Sequence, residues 1–135
     1  MIEQFQDEFR FLSNFIGGVE QKYQAAKAAK EEDRDRILKM TPGEAKRATR
    51  QVEIRPDWDS VKVQVMEELV REKFSKEPFK SLILKTGDEF IQEGNLWKDT
   101  FWGVDLRTGK GQNHLGRILM RVRDTLKTKD VKQQS

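Results

Sequence analysis

Two stretches of this chain carry apolar residues at the spacing of a single helix face, and they constrain the fold more than any other feature. In the first, residues 59–75, the apolar residues recur three or four positions apart: Val61, Val65, Leu69, Val70 and Phe74. In the second, residues 113–126, they are Leu115, Ile118, Leu119, Val122 and Leu126. Both stretches predict amphipathic helices that bury one face, so the chain is expected to be built around helices.

The N-terminal part predicts an aromatic segment followed by a long helix. The first segment is rich in aromatic and apolar residues: Phe5, Phe9, Phe11, Leu12 and Phe15. It is expected to pack on the core in an irregular or extended conformation and to end at Gly17 and Gly18. Residues 19–40 then predict a long helix that is interrupted near Asp33.

Local signals mark shorter elements in the rest of the chain. The sequence TPGE, residues 41–44, has the residue types of a capping box and predicts the start of a short helix. Pro78 is expected to open another short helix, which Gly87 ends with a left-handed cap. Residues 88–94 predict a short strand, and Asn113 is positioned to cap the last helix.

These elements indicate an α+β fold dominated by helices. We expect a single compact domain with a few short strands over residues 1–127, followed by a flexible tail, residues 128–135. No apolar run approaches the roughly 18 residues of a membrane helix. The N-terminus is acidic where a signal peptide would be basic. The chain is therefore expected to be cytoplasmic and to have no membrane partner.

The residue inventory excludes several kinds of chemistry. The chain has no cysteine, which excludes disulfides, thiolate nucleophiles and zinc–thiolate sites, and its single histidine, His114, excludes a histidine-rich metal site. We therefore expect no metal and no cofactor. The formal net charge of +3 mildly favours anionic ligands such as phosphates or nucleic acid. Since basic residues alternate with acidic ones, most of them are expected to lie on solvated helix faces.

A glycine-rich segment, KDTFWGVDLRTGKGQNHLG at residues 98–116, places Phe101 and Trp102 between Asp99 and Gly103. Its glycines disfavour a helix. Aromatic residues in such a segment either fill a core or form a platform for a flat ligand. The segment alone does not decide between the two.

Five blocks of the sequence, taken in order, resemble the YbiA-like family, also called NADAR for NAD and ADP-ribose. The blocks are FLSNF at residues 11–15, VEQKYQAAK at 19–27, TPGEAKR at 41–47, DWDSVKVQVM at 57–66, and DTFWG with GKGQNHLGRILM at 99–120. The resemblance extends over roughly residues 9–126, and five ordered blocks are far more specific than any one of them. It implies a YbiA-like domain.

The resemblance also implies an N-glycosidase, which hydrolyses the bond between a nitrogen and the anomeric carbon of a ribose. Its implied substrates are ADP-ribose attached to guanine in DNA, or early riboflavin-pathway intermediates that carry ribose 5-phosphate. The implied partners are thus an ADP-ribose or ribose-phosphate ligand of nucleotide type, and single-stranded DNA carrying ADP-ribosylated guanine. The alternative is a non-catalytic module that binds NAD or ADP-ribose.

Three residues of the matched blocks are implied to be catalytic: Glu20, Lys27 and Asp99. Cleavage of a nucleosidic bond passes through a sugar with oxocarbenium character. One carboxylate can therefore stabilise the positive charge while another orients or deprotonates water. This mechanism needs Glu20 and Asp99 to converge on one sugar. The alternative for Glu20 is that it only complements the positive end of its helix.

Lys27 lies two helical turns after Glu20 and therefore on the same face. Its amine, with a pKa lowered by burial, is suited to form a Schiff base with the sugar. It is equally suited to bind a phosphate or a ribose hydroxyl, and both roles stay open in the sequence.

Seven further residues are implied to bind substrate: Ser13, Asn14, Tyr23, Trp58, Trp102, Gly103 and Asn113. A flat base stacks well on an indole, although a tryptophan beside Pro56 or Gly103 is also common in a core. Ser13 and Asn14 are suited to bond ribose hydroxyls or to cap a turn. The turn-rich run at residues 107–114 is expected to offer backbone amides to a phosphate.

The chain departs from the family's usual pattern at positions that bear on substrate identity. Only three residues, 16–18, separate the blocks SNF and VE, where many members have a longer insertion. Gln21 stands where the family has histidine, so proton shuttling through this position is excluded. Thr49 and Val104 replace common glycines, which narrows the pocket or changes the path of a loop.

Overall fold

The structure is a computed structural model that describes residues 11–96 and 98–134. Within these ranges, it describes the backbone alone for residues 11–18, 95 and 130–134. The described residues divide into two units, an N-terminal unit of residues 14–73 and a C-terminal unit of residues 74–134 with 11–13.

Six helices and one pair of very short strands make up the described chain. In chain order they are α1 (Phe11–Lys27), α2 (Glu31–Leu38), α3 (Pro42–Ala48), α4 (Trp58–Phe74), α5 (Phe79–Leu84), β1 (Gly94–Asn95), β2 (Val104–Asp105) and α6 (His114–Gln134). The two strands pair in parallel, with Gly94 opposite Val104. The predicted helix-dominated α+β fold with a few short strands is confirmed.

The helix α1 ends at residue 27, six positions before the interruption predicted near Asp33. Tertiary bonds explain the difference. The backbone of residues 27–29 pairs with residues 53–55 in an antiparallel bridge, through N–H···O bonds of 2.9 and 2.8 Å. The Arg34 guanidinium also donates to two carbonyls of the same turn, at 3.0 and 3.1 Å. Helical periodicity carries no information about these distant partners.

Gly17 and Gly18 lie inside α1, so the prediction that they end the first segment is wrong. Glycine costs about 1 kcal/mol relative to alanine in a helix interior, a weak preference that tertiary context overrides. Residues 11–16 are likewise helical rather than irregular or extended. Phe5 and Phe9, the first aromatic residues of that segment, lie outside the described residues.

The capping box predicted at TPGE is confirmed. The Thr41 hydroxyl accepts a hydrogen bond from the Glu44 amide at 3.3 Å, and the Glu44 carboxylate accepts one from the Thr41 amide at 3.1 Å. Pro42 occupies the first helical position of α3, where its missing N–H leaves no bond unmade. This start fixes the position of α3, which carries part of the candidate site.

Small residues let α1, α2 and α3 approach one another in the N-terminal unit. Their buried cluster comprises Ala25, Ala28, Ile37 and Ala45, with Met40, Ala48 and Val52 packed against it. The amphipathic helix predicted at 59–75 is confirmed as α4, in which Trp58, Met66 and Val70 are buried.

In the C-terminal unit, α6 packs against α5. All five predicted core residues of α6 are buried: Leu115, Ile118, Leu119, Val122 and Leu126. The helix α5 begins after Pro78, and Gly87 follows it with a left-handed φ of 62°, as the sequence predicted. The helix α6 continues through Gln134, so residues 128–134 of the predicted tail are helical, and their flexibility stays a prediction.

No helix within the described ranges is long and apolar enough to cross a membrane. The cytoplasmic location stays a prediction, since it rests on the sequence alone. The division into one domain over residues 1–127 and a tail is likewise a prediction.

Asn113 joins the start of α6 to the segment before β1. Its side-chain carbonyl accepts a hydrogen bond from the Glu93 amide, and its side-chain amide donates to the Ile91 carbonyl, both at 2.9 Å. Its φ of 53° is one that asparagine tolerates better than most residues. The side chain was predicted to cap α6 but makes these bonds instead. Of the strand predicted at 88–94, Ile91 forms a single β-bridge and Gly94 belongs to β1.

Gly116 lies where α6 passes closest to this connection. A Cβ atom at this position would collide with the Ile91 carbonyl oxygen and lie 2.5 Å from the Asn113 side chain. Gly116→Ala is therefore expected to lower the free energy of unfolding by about 1–3 kcal/mol, despite the better helix propensity of alanine. Gly43→Ala in α3, where the nearest atom is 3.6 Å away, is the matched control and is expected to cost nothing. Equal stability of the two variants in chemical denaturation would contradict the close approach.

Candidate functional site

Glu20 and Lys27 lie two turns apart on α1, and the carboxylate acts electrostatically on the amine. One turn after Glu20, the Gln24 side-chain amide donates to Glu20 Oε1 at 2.8 Å. Gln24 Oε1 in turn accepts from the Thr49 hydroxyl at 3.2 Å. Gln24 and Thr49 are both buried. The Glu20 carboxylate is therefore held by a row of polar side chains that reaches from α1 to the end of α3.

The Lys27 amine lies against two buried aromatic rings. Its Nζ atom is 5.3 Å from the centre of the Tyr23 ring and 6.0 Å from that of Trp58, and the two ring centres are 5.1 Å apart. Burial lowers the pKa of Lys27 below its ordinary value, the Glu20 carboxylate opposes this shift, and two neighbouring lysines add to it. The neutral, nucleophilic form of this amine is therefore more accessible than in an ordinary lysine.

A cavity of about 370 Å³ opens beside Lys27 in the N-terminal unit. Its lining residues are Lys27, Lys46, Thr49, Arg50, Ile54 and Trp58, and we call it the cationic cavity. Three of these side chains are basic, while the isoleucine and the tryptophan provide an apolar wall. This combination suits a ligand with an anionic group and a flat apolar part.

Asp99 stabilises the turn that carries the aromatic pair of the C-terminal unit. Its Oδ1 atom accepts hydrogen bonds from the amides of Phe101 and Trp102, at 3.1 and 2.9 Å. This is the usual role of an aspartate that initiates a turn. The residue thus has a structural task, and its catalytic role stays a prediction.

Phe101, Trp102 and His114 form an aromatic cluster. The Phe101 ring centre lies 4.8 Å from that of Trp102 and 4.5 Å from that of His114. Both members of the aromatic pair are half-buried. They therefore pack against their own unit while part of their surface stays exposed. This is intermediate between filling a core and forming a platform for a flat ligand.

The backbone amides of residues 112–115 donate to the carbonyls of residues 100–103, at 2.8 to 3.3 Å. Gly111 is required for this pairing, because a Cβ atom there would collide with the Gly103 carbonyl. The Gly103 backbone therefore lies close to the protein's own backbone at Gly111. The amides of residues 112–114 are already bonded within the fold. Phosphate binding by the run at residues 107–114 stays a prediction.

Several predicted site residues keep the status of predictions. Ser13 and Asn14 lie in α1, but their side chains are outside the described part of the chain. Glu20 belongs to the N-terminal unit and Asp99 to the C-terminal unit, and their convergence on one sugar stays a prediction. Among the described side chains, no three histidines, aspartates or glutamates are grouped so as to hold a metal ion.

Part of the lining of the cationic cavity was not predicted from the sequence. Lys46 and Arg50 are four positions apart, a spacing that places side chains on one face of a helical turn. This signal was not distinctive, because basic residues are spread along the whole chain. Ile54 was missed because only the bridge to residues 27–29 brings it beside Lys27. Gln24 was missed because glutamine is common on solvated helix faces.

Comparisons with known proteins agree with the resemblance seen in the sequence. The sequence profile of the NADAR domain matches residues 6–127. An N-glycosidase of Nostoc punctiforme is 41% identical over 118 residues, which are 81% of this chain and 73% of that protein. A riboflavin biosynthesis protein of Vibrio vulnificus is 48% identical over 73 residues, which are 53% of this chain and 19% of that protein.

The N-glycosidase YbiA of Escherichia coli is similar in both sequence and structure. It is 36% identical over 111 residues, which are 79% of this chain and 68% of that protein. The NMR structure of the E. coli protein YbiA superposes with a TM-score of 0.83 at 30% sequence identity, covering 97% of this chain and 88% of that chain. This chain belongs to the NADAR family and, by its likeness to YbiA, to the N-glycosidases of that family.

Proposed function

We propose that this chain hydrolyses the N-ribosyl bond of a substrate whose ribose carries a phosphate. The observation that supports this most is the cationic cavity, where Lys27, Lys46 and Arg50 line a space of about 370 Å³. Three cations around one small space attract a phosphate strongly. Ligand sites span about 300–1,000 Å³, so this cavity suits one ligand of nucleotide size.

Trp58 and Ile54 are proposed to form the wall on which the base lies. A flat heterocycle gains attraction and loses contact with water on an indole face. The Trp58 ring is buried and packs against the Tyr23 ring at 5.1 Å, so this wall exists before a ligand binds. The phosphate would then lie among the cations and the ribose between the phosphate and the wall.

Glu20 is proposed to stabilise the positive charge of the sugar in the transition state, or to activate water. Its carboxylate is held at 2.8 Å by Gln24 and is close enough to Lys27 to raise the pKa of that amine. A module that only binds anions gains nothing from a carboxylate beside its cations, because the carboxylate repels a phosphate. The carboxylate therefore favours an enzyme over a non-catalytic binding module.

Two substrate classes fit this site. The small volume of the cavity favours free ribose-phosphate metabolites such as early riboflavin-pathway intermediates. Lys46, Arg47 and Arg50 are exposed, and basic side chains beside the cavity favour a longer anionic substrate such as ADP-ribose attached to guanine in DNA. The assay of function therefore contains both.

Hydrolysis is tested with ribosylated pyrimidine phosphates and, separately, with single-stranded DNA that carries ADP-ribosylated guanine. Release of the sugar from at least one substrate is expected. Glu20→Gln keeps an acceptor for Gln24 but removes the charge, and it is expected to lower kcat by roughly 100-fold or more. Glu32→Gln, at an exposed position of α2, is the control. Binding of both ligands without release of sugar would support the binding module and contradict the proposal.

The lowered pKa of Lys27 predicts its order of reaction with an acylating reagent. Because its neutral amine forms below the pH expected for a lysine with the ordinary pKa of 10.5, Lys27 is expected to be acylated at lower pH than most lysines. Glu20→Gln removes the charge that raises this pKa, so acylation is expected at still lower pH. Mass spectrometry after brief labelling across a pH series measures both. Acylation of Lys27 only together with or after the other lysines would contradict the lowered pKa of its amine.

The lowered pKa of Lys27 supports a covalent role for its amine. In that role the amine displaces the base from the anomeric carbon, the sugar ring opens to an imine, and water hydrolyses the imine to release the sugar and the free lysine. Lys27→Arg keeps the charge but cannot form a Schiff base, so it is expected to be as inactive as Lys27→Met. Borohydride is expected to trap the sugar on the wild-type protein at this residue. If Lys27→Arg stayed active and borohydride trapped nothing, the amine would act only through its charge.

One substitution distinguishes the structural role of Asp99 in the turn from its proposed catalytic role. Asp99→Asn keeps an oxygen that accepts the amides of Phe101 and Trp102 but removes the charge. If the carboxylate is catalytic, this variant keeps its melting temperature and loses roughly 100-fold in kcat. Asp99→Ala loses the turn as well and is expected to be less stable. Full activity of Asp99→Asn would mean that Asp99 only stabilises the turn and has no catalytic role.

A further inference from the structure

We propose that Gln24 is a positioning residue for Glu20 and that Thr49 fixes Gln24 in its working orientation. This inference rests on the proposed function, in which Glu20 carries the charge that acts on the sugar. We call the three side chains the α1–α3 relay. Neither Gln24 nor Thr49 is proposed to touch the reacting atoms.

The chemistry of the partners fixes the orientation of the Gln24 amide. A carboxylate can only accept hydrogen bonds, so the side-chain NH2 of Gln24 must be the end that faces Glu20 Oε1 at 2.8 Å. The carbonyl end then faces the Thr49 hydroxyl at 3.2 Å. Rotating the amide by half a turn would set two acceptors against each other at the carboxylate. Because Gln24 is only 3% exposed, water is poorly placed to replace either bond.

The Thr49 hydroxyl ties the relay to the end of α3. Its single proton has two acceptors within reach, Gln24 Oε1 at 3.2 Å and the Lys46 carbonyl at 2.9 Å. The oxygen is therefore held between α1 and the last turn of α3. Thr49 also lines the cationic cavity, and in the sequence it lies between two other lining residues, Lys46 and Arg50. The relay thus links the cations that would hold the phosphate to the carboxylate that would act on the sugar.

Only one oxygen of Glu20 is engaged by this relay. Within the part of the chain that the structure describes, Oε2 accepts no hydrogen bond and is the oxygen left for water or substrate. Holding Oε1 in a partly buried bond restricts the rotation of the carboxylate and so fixes where Oε2 points. Positioning of the carboxylate affects mainly kcat, because a carboxylate that rotates freely lowers the fraction of bound complexes in a reactive geometry.

Gln24→Met tests the relay, because methionine fills a similar volume without either hydrogen bond. A hydrogen bond to a charged group contributes about 1.5–3 kcal/mol, so kcat is expected to fall by about 10- to 100-fold with KM changed by less than about 2-fold. The effect should disappear in the Glu20→Gln background, since Gln24 acts only through the Glu20 charge. An equal loss in both backgrounds would mean a merely structural role and would overturn the proposal.

Thr49 provides a second pair of variants that keeps the test decisive if Gln24→Met folds poorly. Thr49→Val removes the hydroxyl at nearly constant volume, and kcat is expected to fall by about 2- to 10-fold, as for a neutral hydrogen bond. Thr49→Ser restores the hydroxyl and is expected to recover most of the loss. If valine and serine gave the same kcat, Thr49 would have no part in the relay.

A measurement without turnover separates failure of the relay from failure of the proposed function. The Gln24 side-chain amide protons are observed in 15N–1H NMR spectra, where the proton bonded to Glu20 is expected to be shifted downfield and to exchange slowly with water. Glu20→Ala is expected to remove this shift. A wild-type protein that shows the shift but releases sugar from no substrate keeps the relay and refutes the function. Gln24 protons that exchange freely in the wild type refute the relay, whatever the activity.

Discussion

The antiparallel bridge between residues 27–29 and 53–55 is the constraint on which the candidate site depends. Its two backbone hydrogen bonds, of 2.9 and 2.8 Å, end α1 directly after Lys27. They also place Ile54 beside that lysine and let α4 begin at Trp58. Backbone hydrogen bonds contribute only about 0.5–1.5 kcal/mol each, so their importance here is geometric rather than energetic. Without them, helical periodicity would continue α1, and the lysine would not share a cavity with the tryptophan.

The resulting site contains unfavourable electrostatic interactions. Lys27, Lys46 and Arg50 carry like charges around one cavity, and burial of the Lys27 amine further disfavours its charged form, as its lowered pKa indicates. Glu20 opposes part of this cost without removing it. An anionic ligand would relieve the repulsion, so its binding is expected to stabilise the protein as well as to orient the sugar. The same burial and repulsion favour the neutral form of the Lys27 amine more than in an ordinary lysine.

The sequence predicted those parts of the fold that depend on local patterns. The helices α4 and α6 followed from apolar spacing, and the start of α3 followed from the reciprocal bonds of Thr41 and Glu44. The predicted end of α1 was wrong, because the helix is ended by backbone hydrogen bonds with residues 53–55, which are distant in the sequence. The glycines inside α1 were also misleading, since a preference of about 1 kcal/mol per residue yields to context.

The candidate site was predicted unevenly for the same reason. Glu20, Lys27 and Trp58 were named from a family resemblance, whereas Gln24 and Arg50 belong to patterns that are ordinary on solvated helices. Only the fold shows that Gln24 is buried against Glu20 and that Arg50 shares a cavity with Lys27. The placement of Asp99 relative to Glu20 stays a prediction, because the two belong to different units.

The most direct test of the central claim is a titration of the 15N-labelled protein with ribose 5-phosphate, followed by NMR. If the cationic cavity holds a phosphorylated ribose, the indole N–H of Trp58 and the amides of Thr49 and Arg50 should shift together and saturate with one dissociation constant. If these signals stayed fixed while others moved, or if nothing moved at millimolar ligand, the cavity would not be the substrate site and the account would be wrong.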